Sequence, residues 1–427
     1  MTVQTTAALA AVALSIAGLL SACVSAPPAP DDVALRTDLQ RPTTPSLNAR
    51  VLTDGGVLDW SFAASLDPAL DRITRLESRY TLKIAETEEI RIGDTVSTSG
   101  LWGSAVRYAG VQYGTRIGLR ENVLYSERLA TSGIAVLPTT EEALFASLSE
   151  RDNLLARQQL SLSGAPRIND DNALSLVARD SFGRTEAFSA PLVPPARLVK
   201  SGCSDFAIGI GKVREDYAFA SNEYGPLFAN TTIACAAPYG LTIEGHGEYL
   251  ADQVAAFGVS VARHLGPIGT ASLAIASSES HIGSGWLARI GLEHENRLFK
   301  VAARRHVQSR DFREVGNLWV EDPVVRRDLA SVGLNLGERA SVALAYAAQR
   351  TWQDERTDIV SLNQEMHVGL GSVVLTAGHA FERDIGSSFF VQYNRPLGAS
   401  ANRARFDASD LDLVEVVVGK KRLFDGG

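Results

Sequence analysis

From Asp205 to Arg395 the chain is a string of segments, each about ten residues long, in which apolar and polar side chains alternate. In 241–249, Leu241, Ile243, Gly245, Gly247 and Tyr249 fall on one side, with Thr242, Glu244, His246 and Glu248 on the other. Phe257, Val259 and Val261 alternate with Gly258, Ser260 and Ala262; Trp286, Ala288, Ile290 and Leu292 alternate with Leu287, Arg289, Gly291 and Glu293. A period of two places each set on one face of a β-strand. Segments of roughly nine to eleven residues match what a tilted strand needs to cross a bilayer, whereas strands of most soluble proteins average nearer five or six. Short turns such as Gly266-Pro267 and Asn296 join them, which predicts an up-and-down antiparallel meander. Tyr239, Tyr249, Trp286 and Trp352 stand near segment ends, where an interfacial aromatic girdle would put them.

After the first twenty-odd residues no run approaches the roughly 20 apolar residues of a spanning helix, because charged residues, Gly and Ser interrupt each apolar stretch. Hydrophobic residues make up 45% of the chain, with 36 Gly. A transmembrane barrel and a soluble β-sandwich share that composition, so strand length and alternation decide between them. The expectation is an all-β fold, a transmembrane antiparallel β-barrel of about 16 strands. Closure at that size and completion by a second polypeptide both remain open, since an open sheet edge in lipid is costly.

The amino terminus reads as an export signal. Residues 7–20 form an apolar stretch of h-region length, followed by Leu20-Ser21-Ala22-Cys23 and a Pro-rich run. This end resembles a lipoprotein lipobox, which would make Cys23 the acylated residue, although 1–6 carry no Lys or Arg. An ordinary signal peptide with a chance cysteine is the alternative. Cys203 and Cys235 then remain as a pair near the ends of neighbouring strands, either bridged or as two buried thiols. The organisation expected is a signal peptide at 1–23, a flexible tether at 24–50, first barrel strands at 51–133, a plug-like β insert at 134–197, main barrel strands at 198–396 and a tail at 397–427. The insert stands out by Pro138, Pro166, Pro191, Pro194 and Pro195 and by a hairpin, 174–179 and 185–188 around the turn Asp180-Ser181-Phe182-Gly183.

Chemistry is absent from the pattern. No phosphate-binding loop, no H-E-x-x-H and no G-x-S-x-G occurs, and the seven His are scattered. His246, His264, His294, His306, His367 and His379 fall in strands, as lumen-facing or interfacial polar residues do. No enzyme activity, cofactor or metal site is expected. The net charge of −8 disfavours nucleic acid as a partner, because neutralising phosphates needs a basic face.

Several stretches together carry a family likeness. RIGDTVSTSGLWGSAVRYAGVQYGT (91–115), VLPTT (136–140), GAPRIND (164–170) and ARDSFGR (178–184), followed by the strands from 197 through 278, resemble the fimbrial ushers of pilus assembly. The likeness runs over about residues 67–395. It implies an outer-membrane pore, closed at rest by a plug inserted between two strands, through which subunits delivered by a periplasmic chaperone pass. It also implies terminal periplasmic domains, for which 26–48 and 397–427 are short, although 402–417 is faintly similar to the start of one. A reduced usher is therefore expected. The alternatives are a degenerate barrel or porin-like channel without subunit secretion, and a soluble periplasmic β-rich binding protein tethered through Cys23.

Overall fold

The computed structural model describes residues 33–37, 46–52, 56–64, 73–115, 131–137, 145, 161–162, 167–168, 173–179, 185–191, 193, 196–320, 322–337, 340–369, 371–381, 387–394 and 414–418. Cys23 and the export signal lie outside the described residues.

Nearly all described residues belong to one antiparallel 21-stranded sheet. Its first part comprises β1 (Val33–Thr37), β2 (Ser46–Leu52), β3 (Gly56–Ala64), β4 (Ile73–Lys83), β5 (Glu88–Val96) and β6 (Ala105–Thr115). Two short strands follow, β7 (Thr131–Ile134) and β8 (Val136–Leu137). Four more, β9 (Ser161–Leu162), β10 (Arg167–Ile168), β11 (Ala173–Arg179) and β12 (Thr185–Pro191), form a separate 4-stranded sheet. The long meander then runs through β13 (Asp205–Tyr217), β14 (Tyr224–Ala237), β15 (Leu241–Leu250), β16 (Val254–His264), β17 (Thr270–Ser280), β18 (Gly283–Glu295) and β19 (Phe299–Gln308). It continues as β20 (Val324–Asn335), β21 (Ala340–Thr351), β22 (Arg356–Val368), β23 (Gly371–Ala380), β24 (Ser387–Asn394) and β25 (Val414–Val418).

The faces are inverted relative to a water-soluble protein. On β15, Glu244, His246 and Glu248 are each 4% exposed while Ile243 is 41% exposed. On the neighbouring strands Val259 is 48%, Ile275 60% and Ile290 57% exposed. The registers Ile243↔Val261, Val261↔Leu273 and Leu273↔Ile290 set these apolar side chains edge to edge across four strands. Apolar area facing outward along a continuous belt is favourable only against a non-aqueous surround, at about 25 cal/mol for each Å² kept from water. Tyr249, Phe257, Trp286 and Trp352 are exposed toward one end of that belt, which we call the aromatic end. The opposite end carries the turns at 238–240, 265–269 and 296–298.

Two segments lie in the wall that sequence patterning left outside it. The stretch read as a tether supplies β1 and β2, and the tail supplies β25, which pairs with both β24 and β1. These strands, with the short β7 and β8, raise the strand number above the sixteen expected. Brief strands carry too few alternations to register as a period, so the pattern undercounts them.

Every junction along the wall is antiparallel, and β6 pairs directly with β13 across the stretch that holds β9–β12. The sheet is not closed: among the described residues β1 has only β25 as a neighbour and β2 has only β3.

Cys203 and Cys235 are joined, tying the chain entering β13 to the end of β14 across a sequence separation of 32. Beside them Ala236 N–H donates to the Gly202 carbonyl at 2.8 Å. Cross-linking a loop of this length stabilises by about 3–4 kcal/mol in the chain-entropy account. The double variant Cys203→Ser/Cys235→Ser is expected to fold yet to lose its compact, heat-modifiable gel band at a clearly lower temperature than the parent. An unchanged transition would mean that the bridge contributes nothing.

Candidate site: the polar face of the wall and the segments folded onto it

The buried face of the sheet is polar. Asn230 and Thr232 on β14, Glu244, His246 and Glu248 on β15, Ser260 on β16, Ser278 on β17, and Arg304, His306 and Gln308 on β19 all point to it. Side chains of this kind are hydrogen-bonded when buried, and here several are held by segments that leave the wall and fold back onto it.

The first is the β5–β6 connection, residues 97–104. Its backbone is gripped by carboxylates of β15: Leu101 N–H donates to Glu244 Oε1 and Ser104 N–H to Glu248 Oε1, both at 2.8 Å. The Leu101 carbonyl accepts from Arg289 Nη1 of β18 at 2.6 Å, and Thr98 shares a hydrogen bond of 2.9 Å with Thr232. Trp102, 1% exposed, stands edge-on to His246 with ring centroids 4.8 Å apart. Gly103 makes this approach at φ +88°, a conformation in which a side chain would also press against Glu248 and His246.

The second segment is the β19–β20 connection at 309–320, which is much longer than its neighbouring turns. It inserts Phe312, Val315 and Leu318, all buried, and meets the first segment through Phe312 and Trp102, whose rings lie 6.4 Å apart. Arg313 N–H donates to Ser278 Oγ at 2.8 Å and Val315 N–H to Glu248 Oε2 at 3.2 Å. Gly285 permits the contact, since a Cβ there would come within 2.1 Å of the Phe312 nitrogen. Glu248 therefore holds both segments, one on each carboxylate oxygen. His246 Nε2 adds a third contact at 3.2 Å to Oε1.

The third feature is the stretch between β8 and β13. On its entry side Ala135 bridges β6 and β13, with Arg107 N–H donating to the Ala135 carbonyl at 2.9 Å and Ala135 N–H to the Arg214 carbonyl at 2.8 Å. Below this bridge Arg214, 2% exposed, donates to the carbonyls of Ala220 at 2.7 Å and Arg75 at 3.1 Å. Asp94 accepts from Arg75 Nη1 and from the Tyr224 hydroxyl, both at 2.8 Å, and the knot so formed ties β4, β5, β13 and β14 together. On the exit side Ala196 N–H donates to Glu293 Oε1 at 3.2 Å and Val199 N–H to Thr242 Oγ1 at 2.8 Å. The two sides thus lie at opposite ends of β13.

Between them the 4-stranded sheet pairs Leu174↔Ala190 and Leu176↔Phe188 in the hairpin around 180–184, and β10 sits beside β21 and β22. Phe145 is buried under the Arg327 guanidinium, which stands 5.3 Å above its ring and also donates to Gln349. The arrangement is a wall with a wet face on which three separate stretches of chain converge.

His246 and His306, named from the sequence as strand polar residues, are on this face, whereas His264, His294, His367 and His379 lie toward strand ends. No group of His, Cys, Asp or Glu among the described residues is arranged to hold a metal. The sequence reading gave 97–104 a place in the family likeness but no contact with β15, and gave 309–320 no role. The usable signals were Gly100 and Gly103 flanking Leu101-Trp102, and Phe312, Val315 and Leu318 at spacings of three in an otherwise short-turned meander.

Two solved structures of the P pilus usher (PapC) translocation pore share this fold. One matches over 83% of this chain and 77% of its own, with 15% identity and a TM-score of 0.53. The other matches over 82% and 77%, with 14% identity and a TM-score of 0.50. The likeness is one of fold. No family model matches the chain, and no curated protein sequence does.

Glu248→Ala removes the shared acceptor of both inward connections and leaves the Ser104 and Val315 N–H groups unsatisfied, at about 1–3 kcal/mol each. The variant is expected to keep the heat-modifiable wall while 97–104 and 309–320 become cleavable by added protease. Equal protection in parent and variant would show that Glu248 is not what holds them.

Proposed function

We propose that the chain is an usher-like outer-membrane pore, gated by its inserted β-sheet, that passes pilus subunits brought by a periplasmic chaperone. One observation carries the reading: a separate 4-stranded sheet is spliced into the connection from β6 to β13, with both ends of that connection pinned on the polar face of the wall. A stretch so placed is a plug. β6 and β13 pair with each other directly over 108–114 and 207–213, and only 131–137 is wedged between them at one end, so displacement of the sheet beyond 137 leaves the wall standing.

The outward apolar belt supports a bilayer as the surround, and the aromatic residues at its end fit an interface. The sequence likeness to fimbrial ushers and the fold shared with the P pilus usher pore support the choice of passenger. Subunit transport of this kind draws its free energy from strand exchange between subunits and needs no catalytic group or cofactor in the wall. None is assigned.

The test has two arms. In planar bilayers the intact protein is expected to conduct rarely, and a variant with 138–195 replaced by a flexible linker spanning the length of the wall to conduct steadily and strongly. Chaperone–subunit complexes of a pilus system are expected to be retained by the immobilised protein. A steady pore in the linker variant without such retention would leave a porin-like channel as the function. Failure of either form to conduct or to show a heat-modifiable band would overturn the pore.

A further inference from the structure

The lipid-facing side of the wall is not uniformly apolar. On β19–β22 it carries Arg305, Arg326, Arg350 and Arg356 against Asp328, Asp354 and Asp358. These positions share the outward register with the belt: Arg305 lies opposite Asp328 and next to Ile290, and Arg326 lies opposite Arg350. Charges on this face cost roughly 2–4 kcal/mol each at a bilayer midplane and near zero at the interface. The cluster therefore marks interface depth, and it lies near the aromatic end.

Its charges do not cancel. Asp328 is shared by two guanidinium groups, Arg305 Nε on Oδ1 and Arg326 Nε on Oδ2, each at 2.6 Å. Arg350 pairs with Asp354 at 2.6 Å and Arg356 with Asp358, which leaves one positive charge in excess. Arg305 and Arg326 keep 54% and 49% of their side chains exposed, with donors turned to the surround.

The surface beneath the cluster is concave. A hollow of about 830 Å³ runs across the strands between Leu273, Ile290, Leu292 and Tyr346, over a floor of Ala303 and Ala330. Ala303 lies opposite Ala330, and Ala330 opposite Tyr346, so two small residues side by side lower the surface between bulkier neighbours. A second hollow of about 450 Å³, lined by the Arg and Asp side chains, adjoins it and shares Arg326, Asp328 and Tyr346 with it. One half is apolar, the other charged with a positive excess, and they meet at a single ion cluster. That is the outline of an anionic amphiphile.

We propose that this face binds an anionic phospholipid, its headgroup on Arg305 and Arg326 and its acyl chain over Ala303 and Ala330. Planar guanidinium groups suit a phosphate, and the apolar floor supplies what a free anion cannot use. The site would fix the depth of β19–β22 in the bilayer. The proposal rests on the membrane reading above, but concerns one patch of the wall.

The test uses the full chain in a neutral detergent, after its heat-modifiable band has been verified so that failure of the membrane reading is seen separately. Dioleoyl phosphatidylglycerol is titrated against dioleoyl phosphatidylcholine, and retained lipid is counted by native mass spectrometry. One phosphatidylglycerol per chain is expected in preference to phosphatidylcholine. Arg305→Gln/Arg326→Gln is expected to weaken that preference about thirtyfold, from roughly 1 kcal/mol for each basic residue at a membrane surface. Ala330→Phe, which fills the groove and leaves every charge in place, is expected to abolish retention as well. Equal retention of both lipids, an unaltered preference in both variants, displacement by inorganic phosphate alone, or a dimer mass in place of bound lipid would each overturn the proposal.

Discussion

Backbone hydrogen bonding sets the terms for everything else in this molecule. A chain that turns one face to hydrocarbon has no water on that side to satisfy N–H and C=O groups, so each must be paired within the wall. The antiparallel ladders from β3 to β25 do this strand by strand, and the side chains are then free to divide by face. Ile243, Val261, Leu273 and Ile290 can lie outside because the polar atoms of the same residues are already engaged. The same pairing gives the inner face its character. Glu244 and Glu248 are buried with Ser260 and His246 as their side-chain partners within the wall, and their other partners come from segments outside it.

That supply is what draws the connections inward. The N–H groups of Leu101, Ser104 and Val315 find carboxylate acceptors on β15, and charge-assisted bonds to backbone donors are stronger than neutral ones. Apolar packing adds to these bonds: Leu101, Trp102 and Phe312 pack with Ala256, Ala274, Ala276 and Leu287, and Val315 and Leu318 with Phe228, Leu250 and Val254.

The wall was legible because its signal is periodic and repeated. Alternation at 241–249, 257–262 and 286–293 gives the strand, the face and the turn at once, and the structure places these residues accordingly. What was not legible is what depends on pairings far apart in sequence. Nothing local in 97–104 says that Leu101 meets Glu244, 143 residues away, or that Ser104 meets Glu248. The same holds for Ala135, whose backbone closes a gap between Arg107 and Arg214 and has no side-chain signature at all. Strand β25, five residues flanked by polar sequence, offers too few alternations to be told from chance. For Cys203 and Cys235 the sequence left a bridge and two buried thiols open; the register of β13 with β14 brings them together.

The ends of the sheet follow a different rule from its interior. Each junction between β1 and β2, taken the long way round through β25 and β3, reverses chain direction, and the number of junctions is even, so β1 and β2 run the same way. Consecutive in the chain, they carry the two free edges, and the residues from Thr37 to Ser46 span at most roughly 30 Å. The edges are thus confined near each other, yet a hairpin cannot join them. A seam between them is either parallel, with slanted bonds slightly weaker per residue, or filled by one further antiparallel strand. Either way it lacks a tight turn, as the β6–β13 and β1–β25 junctions also do. Strain on the wall is therefore expected to be relieved at such junctions before it disturbs the short-turned ladders from β13 to β19.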